Sequence, residues 1–251
     1  MKTLNRTQDA CLEAMGIDVW VSRHSEVVSD DSELEIVADV VEAKENAIDS
    51  RPVALESDQP ISIPEDWQGL QQTVSSCQLC SLHKNRNQTV FGFGNQQADW
   101  LIIGDVPSSD DDASGQIFSG ESGNLLTAML RAIGLSRQQV YLSNIVKCMP
   151  VNNMEVTTDE SDICIKYLQQ QIKFIQPKLI LVLGQLAAQR LMGSHSTLAR
   201  LRQKIHTLDN VDTPIIVTYH PSSLLSMPHN KRDAWQDLLF AQKTISTETV
   251  L

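Results

Sequence analysis

The 251-residue sequence has few aromatic side chains, at 5%, and fewer basic than acidic ones, 20 against 31. No segment approaches the roughly 18 consecutive apolar residues that a membrane-spanning helix needs. The first twenty residues, MKTLNRTQDACLEAMGIDVW, lack the apolar stretch of a secretory signal peptide. These absences exclude the membrane and secreted classes and predict a cytoplasmic protein. In that reducing compartment, the five cysteines are expected to bind a metal or serve redox chemistry rather than form disulfides.

The acidic surplus lies entirely in the N-terminal part of the chain. Residues 1–76 carry 16 acidic and 5 basic side chains, whereas the remaining residues carry 15 of each. A segment with like charges and few aromatics cannot bury enough apolar surface to fold alone. We therefore predict an acidic flexible linker at residues 25–64 and a folded domain at residues 65–246. Residues 1–24 are predicted to be a partner-docking peptide, with folding back onto the domain as the alternative.

Short apolar runs alternate with helical patterns in the predicted domain. The runs cover residues 100–105, 139–148, 178–184 and 214–220. Strands that are apolar on both faces and separated by helices indicate a doubly wound parallel sheet. We predict a three-layer α/β/α fold with a central four-stranded parallel sheet. Sites in such folds form at the carboxyl ends of the strands, which here carry Gly104, Asp105, Asn144, Cys148, Gly184 and His220.

Four cysteines have a spacing that is typical of a metal site. Cys77 and Cys80 form a CxxC pair, Cys148 follows the second apolar run, and Cys164 lies early in the next helical pattern. A redox CxxC of the thioredoxin type follows a strand, whereas this pair follows a predicted helix. The spacing leaves tetrahedral zinc and a [4Fe–4S] cluster open, and a zinc-bound scaffold is one resulting hypothesis. Cys11 is expected to be a bystander.

A series of short motifs runs in a fixed order through the predicted domain. The CxxC pair is followed by VFGFG, GDVPS, GQIFSGESGNLL, NIVKCMP, an E-x3-C helix, LVLG and TYHPSSLL. In order and spacing these motifs resemble the iron–sulfur uracil-DNA glycosylases usually called family 4, over about residues 67–240. The resemblance implies a uracil-DNA glycosylase-like fold and a [4Fe–4S] cluster on the four cysteines. It also implies DNA containing uracil as substrate, with hydrolysis of the N-glycosidic bond of a flipped-out uracil in base excision repair.

The resemblance assigns roles to individual residues. Phe118 aligns with the aromatic residue that stacks on the base, and Asn144 with the amide that binds the edge of uracil. His220 aligns with the histidine that supports the leaving uracilate. Asp105 takes the place of a glutamate that orients water or stabilises the sugar cation. Further implied substrate-binding residues are Gly104, Pro107 and Ser222.

Each of these roles has a structural alternative. Phe118 can be a core residue, and Asn144 and Asp105 can cap turns or helices. His220 can likewise be structural, as a histidine that follows a strand often is. The helix start near residues 119–123 offers N–H groups to a DNA phosphate, and Ser222 and its neighbour could bind another phosphate.

Several positions depart from the family pattern. Asp105 is one methylene shorter than the usual glutamate, and Val106 and Ser108 replace a small alanine and glycine. Met149 and Met154 replace arginines, which weakens the expected phosphate binding. These departures favour an alternative function, a catalytically weak or silent binding module with the glycosylase fold.

The N-terminal stretch LEAMGIDVWVSR resembles the amino-terminal segment of the psi subunit of the bacterial DNA polymerase III clamp loader. This resemblance covers about a dozen residues and implies clamp-loader subunits as partners of the docking peptide. The binding module would then be associated with replication. We nevertheless predict a glycosylase, because Phe118, Asn144, His220 and all four cysteines occur together.

Overall fold

The structure, a computed structural model, describes residues 63–150, 156–208 and 211–248. The docking peptide and all but the last two residues of the predicted linker lie outside these ranges, so both stay predictions. The strands are β1 (Phe93–Gly94), β2 (Trp100–Gly104), β3 (Tyr141–Asn144), β4 (Leu179–Leu183), β5 (His206–Leu208) and β6 (Val211–Thr218). The α-helices are α1 (Trp67–Ser76), α2 (Ser109–Ser114), α3 (Glu121–Ala132), α4 (Thr158–Ile175), α5 (Gln185–Met192), α6 (Leu198–Leu201), α7 (Pro221–Ser226) and α8 (Lys231–Glu248). In the described ranges, 3₁₀ turns cover Ser81–Lys84 and Pro228–Asn230.

The strands form one sheet in the order β1-β3-β2-β4-β6-β5. The four central strands are parallel, and β1 and β5 pair antiparallel at the two edges. In the register, Ile102 of β2 lies between Leu142 of β3 and Leu181 of β4. The predicted α/β class with a central four-stranded parallel sheet is confirmed, and the sheet carries two edge strands more than predicted.

Helices cover both faces of the central strands. Leu101 and Ile103 of β2 pack on the face that holds α1, α4 and α5, whereas Ile102 packs on the face that holds α3 and α8. All three side chains are fully buried, as expected for a parallel sheet that is covered on both sides. The layers are therefore α/β/α. Within the described ranges, no helix combines the length and the apolarity needed to cross a bilayer.

The elements that the sequence pattern does not predict are short. Strand β1 has two residues, and β5 has three, so neither contains an apolar run. Helix α2 consists of SDDDAS and has no apolar face. It forms because Ser108 and Asp111 make a reciprocal capping box at its start and because Gly115 ends it at φ 70°. This helix connects β2 to the loop that carries Phe118.

Candidate active site

Four predicted site residues lie together at the carboxyl ends of the central strands, two of them on β2 and β3, one after β6 and one on the loop after α2. Gly104 and Asn144 are paired in the register of these two strands. A Cβ atom on Gly104 would lie 2.5 Å from Asn144 Oδ1 and 2.7 Å from Phe118 Cζ, so only glycine permits this close approach. The ring centroids of Phe118 and His220 are 5.8 Å apart. We call these four residues (Gly104, Phe118, Asn144 and His220) the strand-end site.

The amide of Asn144 has an unused acceptor. Its side chain is 1% exposed, and Oδ1 is the one buried side-chain polar atom without a hydrogen-bond partner among the described residues. Leaving a buried carbonyl unpaired costs about 1–3 kcal/mol. A carboxamide at this position can accept one hydrogen bond and donate another, so it is suited to a planar ligand edge that has an N–H beside a carbonyl.

Phe118 is held in a strained backbone conformation. It is 5% exposed and has φ 53°, in the left-handed region that costs a residue with a side chain about 1–2 kcal/mol. The guanidinium of Arg137 donates from Nη1 to Phe118 O at 3.1 Å and from Nη2 to Ile117 O at 2.5 Å. The next main-chain N–H, of Ser119, donates to Asp111 Oδ1 at 2.7 Å. Strain that neighbouring groups maintain in this way is typical of binding sites.

His220 is a neutral hydrogen-bond donor in this site. It forms the N-cap of α7, and its Nδ1 accepts from the main-chain N–H of Ser222 at 3.3 Å and lies 2.7 Å from Ser222 Oγ. Because Nδ1 accepts, the ring proton is on Nε2. Burial lowers the pKa of His220 to about 4, with the charge of Asp111 opposing that shift. The imidazole is therefore uncharged at neutral pH and offers Nε2–H as a donor.

Asp105 lies at the same edge of the sheet but caps a helix. Its Oδ1 accepts from the main-chain N–H of Ala187, in the first turn of α5, at 2.6 Å. The N-cap of α5 is Gly184, and a Cβ there would meet Asp105 Oδ2 at 2.6 Å. This contact is the structural alternative given above for Asp105, and its catalytic role stays a prediction. Burial raises the pKa of the Asp105 carboxyl to about 6, and the hydrogen bond from Ala187 opposes that rise.

The residues that depart from the family pattern have structural contacts of their own. Ser108 Oγ accepts from Asp111 N at 3.2 Å and so caps α2. Val106 is half-buried and packs against the core on the α4–α5 face. Met149 is half-buried, and Met154 lies outside the described residues. These contacts explain why Ser108 and Val106 fit the fold without the smaller residues of the family.

The remaining predicted binding residues differ in burial and in whether the protein already uses their hydrogen-bonding groups. Pro107 is buried three residues beyond the end of β2. Ser222 is bonded to His220, and its role in substrate binding stays a prediction. In the predicted phosphate site at the start of α3, the N–H of Ser119 is already used by Asp111. That donor is therefore satisfied within the protein.

Three residues that contact the site residues were not predicted from the sequence. Besides Asp111 and Arg137, the structure adds Lys147, which is 1% exposed. Its Nζ donates to Asn144 O at 3.0 Å and to Gln171 Oε1 of α4 at 2.8 Å. Burial lowers the pKa of Lys147 to about 8. The only available signal for Lys147 was its place inside the NIVKCMP motif, between Asn144 and a cysteine.

The four predicted ligand cysteines lie on one side of the sheet. Cys77 follows α1 and Cys80 precedes a 3₁₀ turn, while Cys148 lies beyond β3 and Cys164 in α4. All four belong to or pack against the same core cluster, and none forms a disulfide. Burial raises the pKa of Cys80, and the charges of Cys148 and Cys77 raise it further. The Cys80 thiol is therefore close enough to Cys77 and Cys148 for their charges to affect it.

Hydrogen-bond donors from the protein reach three of these sulfurs. The hydroxyl of Tyr167 donates to Cys77 Sγ at 3.5 Å. Arg86 Nη1 donates to Cys148 Sγ at 2.9 Å, and the main-chain N–H of Lys147 donates to Cys164 Sγ at 3.3 Å. Within the described ranges, no group of three or more His, Cys, Asp or Glu side chains is placed to hold a metal ion. A zinc ion needs its sulfurs about 2.3 Å from one point, whereas a [4Fe–4S] cluster binds its cysteines on separate irons. The chemistry of four thiols with N–H donors to sulfur fits such a cluster.

Comparisons with known proteins agree with this geometry. Residues 91–239 match the model of the Uracil DNA glycosylase superfamily. The chain is 34% identical to the Type-4 uracil-DNA glycosylase of Archaeoglobus fulgidus, over 69% of this chain and 90% of that protein. It is 35% identical to the Type-4 uracil-DNA glycosylase of Thermotoga maritima, over 70% of this chain and 93% of that protein. A Type-5 uracil-DNA glycosylase of Pyrobaculum aerophilum is 23% identical over 53% of this chain and 65% of its own.

The comparisons support one of the two resemblances found in the sequence and not the other. The match to the superfamily model begins at residue 91, and neither it nor these relatives support a psi-like N-terminus or clamp-loader partners. The resemblance to the glycosylases is confirmed. The chain belongs to the uracil-DNA glycosylase superfamily and is similar to its type-4 members.

Proposed function

We propose that this protein hydrolyses the N-glycosidic bond of uracil in DNA. The observation that carries the proposal is the unpaired Oδ1 of buried Asn144 beside the Phe118 ring and the neutral His220. The type-4 relatives, which are named for the same activity, support it. In this proposal the target nucleotide is flipped out of the duplex so that its base enters the strand-end site.

Recognition of uracil follows from the amide of Asn144. Oδ1 accepts from N3–H of the base, and Nδ2 donates to O4, while the base stacks on Phe118. Cytosine has an acceptor at N3 and a donor at its 4-position, so both contacts would become repulsive. A site that hydrogen-bonds its substrate in this way discriminates by up to about 10⁴–10⁵-fold.

Bond cleavage follows from His220 and Asp105. As the bond from C1′ to N1 breaks, negative charge develops on uracil O2, which the Nε2–H of His220 stabilises without a proton transfer. A water molecule adds to C1′, and its proton passes to the carboxylate of Asp105. A pKa of about 6 suits this carboxylate to accept a proton near neutral pH. Uracil leaves as an anion, and the sugar keeps the hydroxyl group.

We also propose that Cys77, Cys80, Cys148 and Cys164 hold a [4Fe–4S] cluster. When bound, the cluster would connect the α1 end, the segment after β3 and the start of α4. Its role would be structural, because these sulfurs lie on the α4–α5 side of the sheet and not at the strand-end site. Arg86 and the main chain of Lys147 would donate hydrogen bonds to two of its ligands.

The proposed function is tested by excision from oligonucleotides that contain one uracil, single-stranded and paired with guanine or adenine. The protein is purified anaerobically, and its brown absorbance is recorded first. We expect release of free uracil from these oligonucleotides and no release of cytosine from the matching cytosine oligonucleotide. Intact, coloured protein that releases no uracil would contradict the proposal and leave a binding module as the explanation of the fold.

Replacing His220 should reduce the chemical step. We expect His220→Ala to lower kcat by about 10²–10³-fold, the range for removing one donor to a developing anion. Exposed His229, in the turn after α7, provides the matched control, and His229→Ala should stay within twofold of wild type. A His220→Ala protein with wild-type kcat and an unchanged melting temperature would exclude the role of this imidazole.

Asp105 should make the protein less stable at high pH. Its folded pKa is raised from 3.8 to about 6, so its stabilising contribution is complete below 3.8 and is lost as pH rises through 6. This rise in pKa corresponds to a loss of about 3 kcal/mol in the free energy of unfolding once the pH is above 7. Asp105→Asn keeps an oxygen for the Ala187 N–H and should be more stable than wild type at pH 8, with a smaller difference at pH 5.

Urea unfolding at the two pH values measures this difference. Asp162→Asn, on the exposed side of α4, provides the control and should change stability equally at both. Uracil excision by Asp105→Asn should fall at least about 10-fold, since an amide accepts no proton. A gain in stability that is the same at pH 5 and pH 8 would contradict the burial of a charged Asp105.

A further inference from the structure

We propose that Arg137 is a positioning residue for the stacking aromatic of the site. Its guanidinium binds the main-chain carbonyls of Ile117 and Phe118 and thereby fixes the Phe118 ring against Gly104. This inference rests on the proposed function, because it concerns the same site.

Arg137 is held in place by its own turn and by the Phe93 ring, in addition to its contacts with the Phe118 loop. It lies in the turn between α3 and β3, which is closed by Gln139 N donating to Ser136 O at 3.1 Å. Its guanidinium carbon is 5.9 Å from the centroid of the Phe93 ring. The planar fork of an arginine holds two neighbouring acceptors in a fixed, preorganised geometry, whereas the ammonium group of a lysine acts as a freely rotating point charge. Arg137 therefore connects the turn before β3 to a loop that lies 19 residues earlier in the sequence.

The Phe118 backbone needs such support. With φ at 53°, Phe118 occupies a region that a phenylalanine rarely adopts without constraint from its surroundings. Asp111 fixes the N–H on one side of the peptide after Phe118, and Arg137 fixes the carbonyl on the other side. Gly123 leaves room for that carbonyl, since a Cβ there would lie 1.7 Å from Phe118 O. Gly123 cannot be changed without adding bulk, and Asp111 also belongs to the capping box of α2, so the contact from Arg137 is the one that can be removed most selectively.

A different role for an arginine in this position is binding of a DNA phosphate. The geometry disfavours that role, because two of the guanidinium nitrogens already donate to carbonyls and the group is half-buried. A phosphate contact contributes to the salt dependence of DNA binding, whereas a positioning contact does not. Salt dependence therefore separates the two roles.

The test compares Arg137→Met with wild type, with Arg131→Met as the control because Arg131 is exposed near the end of α3. We expect kcat/KM for uracil excision to fall about 30-fold in Arg137→Met, in the range for a misplaced substrate-contacting group. Its dependence on salt should be unchanged, and Arg131→Met should stay within twofold. In a Phe118→Ala background the same change should cost less than threefold, because Arg137 would act through Phe118.

A binding measurement keeps the test independent of catalysis. The Kd for an oligonucleotide with the non-hydrolysable 2′-fluoro-deoxyuridine should rise about 10-fold in Arg137→Met. If wild type binds this oligonucleotide but releases no uracil, the proposed function fails while the Kd comparison still decides the role of Arg137. If Arg137→Met does not fold, Arg137→Lys is used, with an expected loss of about 10-fold. An effect within twofold, additive losses with Phe118→Ala, or a reduced salt slope would each overturn the proposal.

Discussion

Asn144→Ala is expected to lower kcat/KM for uracil excision by at least about 10³-fold while the protein stays folded. The substitution removes both the acceptor for N3–H and the donor to O4, which are the polar contacts that distinguish uracil. It also removes an acceptor that is unpaired in the free protein. The melting temperature should therefore be equal to or higher than that of wild type, because a buried unsatisfied carbonyl is lost.

The control for this prediction is Asn95→Ala. Asn95 is exposed in the turn between β1 and β2, where its Oδ1 accepts from Gln97 N. Its replacement should leave excision within twofold. Asn144→Ala that keeps more than a tenth of the wild-type kcat/KM, with its brown absorbance intact, would rule out recognition of the base by this amide.

Cys164→Ala is expected to remove the cluster and with it both stability and activity. Metal binding contributes directly to folding energy, so the melting temperature should fall roughly 10 °C or more. The Cys164 sulfur also accepts from the N–H of Lys147, whose Nζ holds the carbonyl of Asn144. Loss of the sulfur should therefore disturb the strand-end site, and excision should become undetectable. Absorbance, iron content and thermal unfolding are measured on the same anaerobic preparation.

Cys11→Ala provides the matched control for this experiment. Cys11 belongs to the acidic N-terminal part of the sequence and not to the motif series. Its replacement should leave iron content and melting temperature unchanged. Equal iron in Cys164→Ala and wild type would contradict the ligand assignment. A colourless wild-type protein with stoichiometric zinc would contradict the cluster itself and revive the tetrahedral alternative.

The long elements of the fold were predictable because burial determines them. The helix predicted before the CxxC pair is present as α1, and the apolar run at 178–184 contains β4 entirely. Helix α2 was not predictable from apolar periodicity, since its two buried side chains are the aspartates Asp111 and Asp112. Strand β6 begins three residues before the predicted run at 214, because its first residues pair with the edge strand β5.

The site was predictable to the extent that its residues stand in motifs. The strand ends pointed to Asn144 and His220 and the motif order to Phe118, and the structure brings these three residues together, while their roles stay predictions. Arg137 carries no such signal, because it binds main-chain carbonyls, and any sequence at positions 117 and 118 supplies those. The helix cap made by Asp105 was likewise open to either interpretation until its contact with Ala187 was known.

Lys147 has a practical consequence for measuring this protein. Its main-chain N–H donates to Cys164 Sγ, a proposed cluster ligand, and its ammonium group donates to the carbonyl oxygen of Asn144. A molecule that lacks iron would therefore be inactive, even though it stays in solution and contributes to the measured protein concentration. Turnover should be normalised to iron content rather than to protein mass, and batches grown with scarce iron should differ in active fraction rather than in KM.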